Sequence, residues 1–253
     1  MKIVSFANSK GGAGKSTAIR AVASALEHLG RSVAVVDLDN QQSIGTWFDV
    51  NDDGLFPLPD PKMFKIIPMI FSDDEDRNAE KVQAELSNMS DADEFDYILV
   101  DTKGASSMTN SVALGSADIV ICPTNGDADE VDPIINTFNN FVEISKTVDP
   151  DENPKDRFVV MFNKNQAMLS NENLESRMAL KEHFNTIEGL PQVSAFNSCS
   201  NYGATLTGLM KGWEAQKKGD RTKRAKAGRE IAKFEKALAV SVKLVEDIER
   251  AIP

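Results

Sequence analysis

The most chemically distinctive part of the sequence is a glycine-rich segment that ends in a lysine and two hydroxyl residues. It reads Ser9-Lys10-Gly11-Gly12-Ala13-Gly14-Lys15-Ser16-Thr17. Glycines let a backbone curl until its N–H groups converge, and convergent N–H groups bind anions. Lys15 adds a positive charge, and Ser16 adds a hydroxyl of the kind that ligates Mg²⁺ in phosphate sites. The residue types and their spacing therefore predict a site for nucleotide phosphates and a magnesium ion.

The position of this segment supports the same interpretation. It lies between a predicted strand, residues 2–7, and a predicted helix, residues 16–29. A helix presents its partly positive end at its N-terminus, so phosphates bound by the segment would lie against that end. Strand, loop and helix in this order are the context that a phosphate-binding loop requires.

The segment also departs from the common phosphate-loop spacing, because Ser9 stands where a glycine is expected and Lys10 is an additional lysine. It resembles the deviant Walker A segment, K-G-G-x-G-K-[ST], of the ParA and MinD ATPases. In that family the additional lysine contacts phosphates bound to the partner subunit. The resemblance implies ATP and Mg²⁺ as cofactors, a homodimer formed with ATP, catalytic roles for Lys10 and Lys15, and nucleotide contacts from Lys10, Gly11, Gly12, Ala13, Gly14, Lys15, Ser16 and Thr17.

Two acidic segments are similar to the rest of that family's site. Asp37-Leu38-Asp39-Asn40-Gln41 resembles the family segment D-x-D-P-Q, with Asn40 in place of proline. The resemblance implies that Asp39 positions the attacking water. For Asp37, a structural or metal-water contact and direct catalysis are both open. Tyr97 to Asp101 resembles a Walker B strand, and the predicted magnesium ligands are Ser16, Asp39 and Asp101.

Two further nucleotide contacts are implied by the same resemblance. Gly104, shortly after the Walker B strand, offers a backbone N–H to the γ-phosphate. Asn163 ends another predicted strand and corresponds to a family asparagine that contacts adenine. The following Lys164-Asn165-Gln166 superficially resembles a guanine-reading N-K-x-D motif. Gln166 cannot supply the paired acceptors that guanine needs, so the sequence favours ATP over GTP.

Strands and helices that alternate along the chain must position these residues. Short β-branched runs alternate with segments of helical period, which is typical of βαβ units around a parallel sheet. We expect a single α/β domain over residues 1–253, with a doubly wound, mostly parallel sheet of about seven strands flanked by helices. The predicted strands are 2–7, 32–37, 65–70, 97–101, 118–122, 157–162 and 192–196, and the predicted helices are 16–29, 73–89, 107–114, 130–147, 173–184 and 223–251.

Composition narrows the class of protein. The 253 residues are 41% hydrophobic and 26% charged, and there are only two cysteines. These values exclude disordered and low-complexity chains and a disulfide framework. No apolar run reaches the roughly 20 residues of a membrane span. We therefore expect a cytoplasmic protein, associated with the nucleoid if it binds DNA.

Charge is unevenly distributed along the chain. The net charge is −11, yet residues 211–253 carry 12 Lys and Arg against 7 Asp and Glu. A basic patch on an acidic protein binds nucleic-acid phosphates without reading base sequence, although a solvated helix face is the alternative. We expect a basic C-terminal helical segment at about 211–253, with non-specific DNA contacts from Lys217, Lys218, Arg221, Lys223, Arg224, Lys226 and Arg229.

The binding partners to expect depend on which subgroup of the ParA and MinD family the chain resembles. After the D-x-D segment, Ser43-Ile44-Gly45-Thr46-Trp47 is similar to the corresponding segment of the short ParA type and of the ATPases of conjugative T-DNA transfer. This similarity implies DNA release after hydrolysis stimulated by a ParB-like adaptor, with a plasmid, a chromosome, a conjugative complex or a protein assembly as cargo. A MinD-like membrane-positioning ATPase and a metabolic ATP-dependent ligase of the same fold are the alternatives. Acids near the C-terminus would be repelled by anionic lipid, so we expect no membrane partner.

Overall fold

A parallel sheet forms the centre of the molecule in the computed structural model, which describes residues 1–51, 54–104, 107–163, 170–217 and 221–253. Its strands in these ranges are β1 (Lys2–Phe6), β2 (Val33–Asp37), β3 (Phe64–Pro68), β4 (Tyr97–Asp101), β5 (Ile119–Thr124), β6 (Phe158–Phe162) and β7 (Asn185–Glu188). The spatial order is β3-β2-β4-β1-β5-β6-β7. Every neighbouring pair is parallel.

Helices cover both faces of this sheet. Within the described ranges they are α1 (Lys15–His28), α2 (Glu75–Ala92), α3 (Met108–Gly115), α4 (Val131–Val148), α5 (Asn171–His183), α6 (Ser194–Tyr202), α7 (Leu206–Ala215) and α8 (Arg221–Ala251). Single 3₁₀ turns precede α4 and β6, at Ala128–Glu130 and Pro154–Arg157. Parallel strands need crossover connections, and these helices supply most of them.

The apolar side chains form two cores, one on each face of the sheet. One core packs α1, α6, α7 and α8 against the strands, with Leu26, Leu209 and Phe234 among its buried side chains. The other packs α2, α3, α4 and α5, with Leu86 and Phe141 buried. Strands buried on both faces read as continuous apolar runs, and Ile98-Leu99-Val100 of β4 is such a run.

The predicted doubly wound α/β fold is confirmed, with one strand misplaced. Residues 192–196, expected to form the seventh strand, instead contain the first turn of α6, and the seventh strand is β7. Ala195, Phe196 and Cys199 are buried at a helical spacing. The strand β7 was missed because it pairs only with β6 at the sheet edge, and its sequence Asn-Thr-Ile-Glu contains one apolar residue.

The sheet edge at the carboxyl ends of the strands positions the candidate site. There β1 leads into the glycine-rich segment, β2 into Asp39, β4 into Gly104 and β6 into Asn163. Ligands of open α/β sheets bind at this edge. The fold therefore brings together four segments that are far apart in sequence.

Candidate functional site

The glycine-rich segment forms a loop whose conformation depends on its glycines. Gly12 and Gly14 have φ values of +78° and +92°, which L side chains rarely adopt. A Cβ atom on Gly14 would also lie 2.7 Å from Nδ2 of Asn163. A side chain at residue 14 would thus strain the loop and collide with the end of β6.

The N-terminus of α1 is open towards this loop. Gly14 is its N-cap, so no side chain accepts a hydrogen bond from the first helical N–H groups. Lys15 begins the helix, is 9% exposed, and its Nζ donates to the carbonyl oxygen of Asn8 at 3.3 Å. Free helical N–H groups and a positioned ammonium are the donors that a phosphate needs.

A cavity of about 520 Å³ extends from this loop. It is lined by Gly11 to Thr17, by Asp39, Asn40, Gln41 and Ser43 from the loop after β2, and by Lys103 and Gly104 after β4. A Cβ atom on Gly104 would lie 3.7 Å from the carbonyl oxygen of Ser9, so the segment after β4 lies against the glycine-rich loop. We refer to this space as the phosphate cavity.

Ser16 and Asp101 meet at the edge of the phosphate cavity. The Ser16 hydroxyl donates to Oδ2 of Asp101 at 2.7 Å and lies 3.1 Å from the hydroxyl of Ser43. The other Asp101 oxygen, Oδ1, is buried without a hydrogen-bond partner among the described residues. A hard cation takes oxygen ligands of this kind, so the residues present fit Mg²⁺.

Burial also changes the acidity of Asp101. The side chain is 1% exposed, and this desolvation raises the pKa of Asp101 to about 7, although the Ser16 hydrogen bond acts in the opposite direction. The nearby Asp37 carboxylate raises the pKa of Asp101 further.

Among the residues that the structure describes, no three His, Cys, Asp or Glu side chains are grouped to hold a metal by themselves.

Asp37 organises the loop that carries Asp39. It is fully buried, and its carboxylate accepts hydrogen bonds from the backbone N–H groups of Asp39, Ile44 and Gly45 at 2.8–2.9 Å. Burial raises the pKa of Asp37 and these donors lower it. Of the two roles left open by the sequence, these contacts favour the structural one. Asp39 itself is half-buried at the rim of the phosphate cavity.

The structure places Lys10 next to two acidic residues of its own chain. Its Nζ lies 2.7 Å from Oδ2 of Asp129 and 3.5 Å from Oε1 of Glu130. The hydrogen bond to Asp129 raises the pKa of Lys10, and it lowers the pKa of Asp129. Glu130 is 2% exposed and accepts from the Thr124 hydroxyl at 2.6 Å. These partners follow β5 and were not predicted from the sequence.

A second cavity, of about 320 Å³, lies on the other side of Gly14 and Thr17. Its remaining walls are Asn163 and the segment from Leu190 to Asn197, which includes the start of α6. The Asn163 amide donates to the Ala13 carbonyl oxygen at 3.2 Å and accepts from the Leu190 N–H at 3.1 Å. We refer to this second space as the base cavity. Asn163 thus connects the glycine-rich loop to the wall of the base cavity. Gln166 lies outside the described residues.

Arg20 supports the loop beside the site, and sequence analysis did not predict this role. It is half-buried on α1, donates to the Ser43 carbonyl oxygen, and its guanidinium carbon lies 5.7 Å from the ring centroid of Trp47. These contacts link α1 to the loop after β2. Both partners are more than 20 residues away in sequence, so helical periodicity alone gave no signal.

The basic residues expected to bind DNA lie around the start of α8. Arg221, Lys223, Arg224, Lys226 and Arg229 are exposed there. Lys226 Nζ stands 5.4 Å from the ring centroid of Trp213. Lys217, just after α7, pairs with Glu214 at 2.6 Å. Lys218 lies outside the described residues. None of the helices in the described ranges is long and apolar enough to span a membrane.

Relatives of known sequence match about half of the chain. A family model described as ATPase MipZ matches residues 2–146. Protein virC1 of Rhizobium radiobacter is 29% identical over 145 residues, which is 57% of this chain and 58% of the relative. Protein ParA of the same organism is 29% identical over 125 residues, 49% of this chain and 48% of the relative. The chain thus spans about half the length of the curated relatives it matches.

A solved structure is similar over nearly the whole chain. A plasmid partition protein from Borrelia burgdorferi bound to AMPPNP superimposes with a TM-score of 0.64 at 19% identity, over 93% of this chain and 98% of that one. At this identity the likeness shows the fold. Together with the family match over more than half of the residues, it confirms the resemblance stated from the glycine-rich segment. The chain belongs to the MipZ family of ATPases, of the ParA and MinD type with a deviant Walker A loop.

Proposed function

We propose that this protein is a Mg²⁺-dependent ATPase that dimerises with ATP, binds DNA non-specifically in that state, and releases it when a ParB-like partner stimulates hydrolysis. The observation that carries the proposal is the arrangement of the two cavities. The phosphate cavity and the base cavity share Gly14 and Thr17 and lie on either side of the N-terminus of α1. One nucleotide would place its phosphates and its base in these two spaces.

The chain's own residues have distinct tasks in this proposal. The N–H groups of the loop and Lys15 would hold the β- and γ-phosphates, and Ser16 with Asp101 Oδ1 would hold Mg²⁺. Mg²⁺ supplies neutralisation of the charge that develops on the phosphates. Asp39 would orient the attacking water from the rim of the cavity. Lys10 would leave Asp129 and Glu130 to reach the partner's phosphates.

Contacts of Asn163 support a role beside the base. Each amide nitrogen carries two donor hydrogens, and only one of them is used by the Ala13 carbonyl oxygen. The second hydrogen can donate to a ring nitrogen of adenine. A nucleotide base between Asn163 and the segment 190–197 would thus contact groups that already connect to the phosphate loop.

Charge on α8 supports the DNA-binding part. Residues 221–226 are all exposed, so the first turn and a half of the helix stands clear of the core. A helix turns about 100° per residue, so Arg221, Lys223 and Arg224 point to different sides of this projecting end. Such an end can contact phosphates of a duplex without reading bases. An ATP dimer would present two of these ends, which increases affinity through effective concentration.

The test is binding of a random-sequence DNA duplex, measured by fluorescence anisotropy with and without Mg-ATP at several salt concentrations. We expect binding that requires ATP and weakens steeply with salt, with a log-log slope of about −0.9 per phosphate neutralised. Lys15→Ala should abolish the effect of ATP by removing the closest cation from the phosphates.

Charge reversal locates the DNA surface. Changing Lys223, Arg224 and Lys226 to Glu should weaken binding to all duplexes equally and leave ATP-driven dimerisation intact. The matched control changes Lys62, Lys65 and Lys81, which are exposed near β3 and α2, to Glu. An equal loss of DNA affinity in both variants would contradict the DNA-binding part of the proposal. So would wild-type protein that does not bind DNA at low salt with ATP.

A further inference from the structure

Lys103 is a cation at the phosphate cavity to which the proposed mechanism gives no task. It lies two residues after Asp101, between Thr102 and Gly104, and it lines the cavity together with Gly11 to Thr17. The motifs in the sequence assign no task to a lysine at this position. We propose that Lys103 binds the γ-phosphate of ATP within its own chain and so makes the protein prefer ATP to ADP. This inference rests on the proposed nucleotide site.

The backbone of Lys103 is held firmly. Its N–H donates to Oδ1 of Asn110 at 3.1 Å, and Nδ2 of Asn110 donates back to the Lys103 carbonyl oxygen at 3.1 Å. Asn110 is buried on α3. Next to it, the Thr102 hydroxyl donates to the carbonyl oxygen of Phe6 at the end of β1. The Lys103 side chain therefore starts from a fixed point beside the glycine-rich loop.

The backbone next to Lys103 lies near Ser9 and Gly11, at the start of the glycine-rich segment. A Cβ atom on Gly104 would be 3.7 Å from the Ser9 carbonyl oxygen and 4.0 Å from the Gly11 nitrogen. Lys15 and the open N-terminus of α1 belong to the other half of that segment. A chain of phosphates held at the N-terminus of α1 would extend along the glycine-rich segment toward Gly104 and Lys103. The terminal phosphate would extend furthest in that direction.

The Lys103 ammonium contacts an aromatic ring, and a phosphate could replace this contact. Nζ lies 4.7 Å from the ring centroid of Phe71, just beyond β3. Among the residues that the structure describes, no carboxylate pairs with Lys103. A lysine over a phenylalanine ring at an accessible site is held weakly compared with a lysine bonded to a phosphate oxygen. A γ-phosphate can therefore draw the ammonium away from Phe71.

The two lysines of the glycine-rich segment have different partners. Lys15 Nζ donates to the Asn8 carbonyl oxygen, and Lys10 Nζ pairs with Asp129 and Glu130. In the described part of the chain, the Lys103 ammonium contacts only an aromatic ring. It therefore loses the weakest interaction of the three lysines when it moves to a phosphate. ADP lacks the terminal phosphate and should leave Lys103 on Phe71.

The test compares the affinities of Mg-ADP and Mg-AMPPNP by isothermal titration calorimetry. Lys103→Gln should weaken AMPPNP binding about tenfold, the scale of one charged hydrogen bond, while ADP binding changes less than about twofold. Lys103→Arg keeps the charge and should retain the preference for AMPPNP. Lys146→Gln removes an exposed lysine near the C-terminal end of α4 and serves as the matched control.

The outcomes separate this inference from the proposed function. Wild-type protein that binds neither nucleotide would overturn the nucleotide site itself. Wild-type protein that prefers AMPPNP, with a Lys103→Gln variant that keeps the same preference, would overturn only the role of Lys103. Repeating both titrations in the Lys10→Ala variant removes dimerisation from the comparison. The tenfold loss should persist there, and its disappearance would contradict a contact within one chain.

Discussion

At the scale of single residues, the role that we propose for Lys10 would link the nucleotide site to dimer assembly. Its pairing with Asp129 and Glu130 competes with any contact it makes across a dimer. We therefore predict that Asp129→Asn increases the dimer fraction at a given ATP concentration by about two- to fivefold, as expected for loss of an exposed ion pair. Lys10→Ala should remain monomeric yet bind nucleotide. Sedimentation velocity measures both effects.

A neighbouring exposed acid provides the control for this prediction. Asp132→Asn, at the start of α4, removes the same charge without touching Lys10 and should leave the dimer fraction unchanged. If Lys10→Ala dimerises with ATP and hydrolyses it at the original rate, a role for Lys10 across the dimer is wrong.

Asp101 makes a prediction about stability and pH. Burial raises its pKa from the ordinary value of 3.8 to about 7, so the metal-free fold disfavours the ionised form. An acid whose pKa is raised on folding destabilises the protein progressively as pH rises between the unfolded and folded pKa values. Asp101→Asn should therefore raise the free energy of unfolding, by up to about 4 kcal/mol above pH 7 and by little near pH 4.

Urea unfolding of both proteins in EDTA, at pH values from about 5 to 8, measures this difference. The gap between variant and wild type should widen with pH across that range. A gap that stays constant or narrows would show that Asp101 is not a buried, destabilising charge in the metal-free protein.

At the scale of elements, the loop after β2 depends on one carboxylate. Asp37 accepts from three backbone N–H groups, and an asparagine would turn N–H donors towards some of them. Each buried donor left unsatisfied costs about 1–3 kcal/mol. We predict that Asp37→Asn loses about 2–4 kcal/mol of unfolding free energy and most ATP hydrolysis. Asp49→Asn, exposed near the same loop, should change stability by less than about 0.5 kcal/mol.

The elements also show what sequence analysis can and cannot predict. Buried parallel strands such as β4, and helices with an apolar face such as α1, were predicted within one or two residues because their patterns are strong. The edge strand β7 and the short helices α6 and α7 were not predicted, because none of the three has a strong pattern over a long run of residues. In the site, the phosphate-loop residues and Asp101 were predictable from local motifs. The partners of Lys10 were not, because Asp129 lies 119 positions away and only the fold brings them together.

At the scale of the whole molecule, the proposed nucleotide site and the proposed DNA-binding surface lie in different regions. Nucleotide would bind at the carboxyl edge of the sheet, whereas the exposed basic end belongs to α8, which packs against α1 and α7. Both regions connect through α1, which begins at the phosphate loop and contributes Ala21, Val22 and Ala25 to the core shared with α8. If nucleotide and DNA bind at these two places, as we propose, α1 and the core that it shares with α8 would connect the two sites.

In the function that we propose, ATP assembles this protein into a dimer and hydrolysis takes the dimer apart. Sedimentation velocity of Asp39→Ala with Mg-ATP tests it most directly, because the variant keeps the phosphate cradle and loses the residue expected to orient the attacking water. Loss of such a group typically slows the chemical step about 10²- to 10³-fold. We predict a dimer of Asp39→Ala that persists for hours with ATP and is absent with ADP. A variant that remains monomeric with ATP, or that hydrolyses ATP at the wild-type rate, would contradict the account.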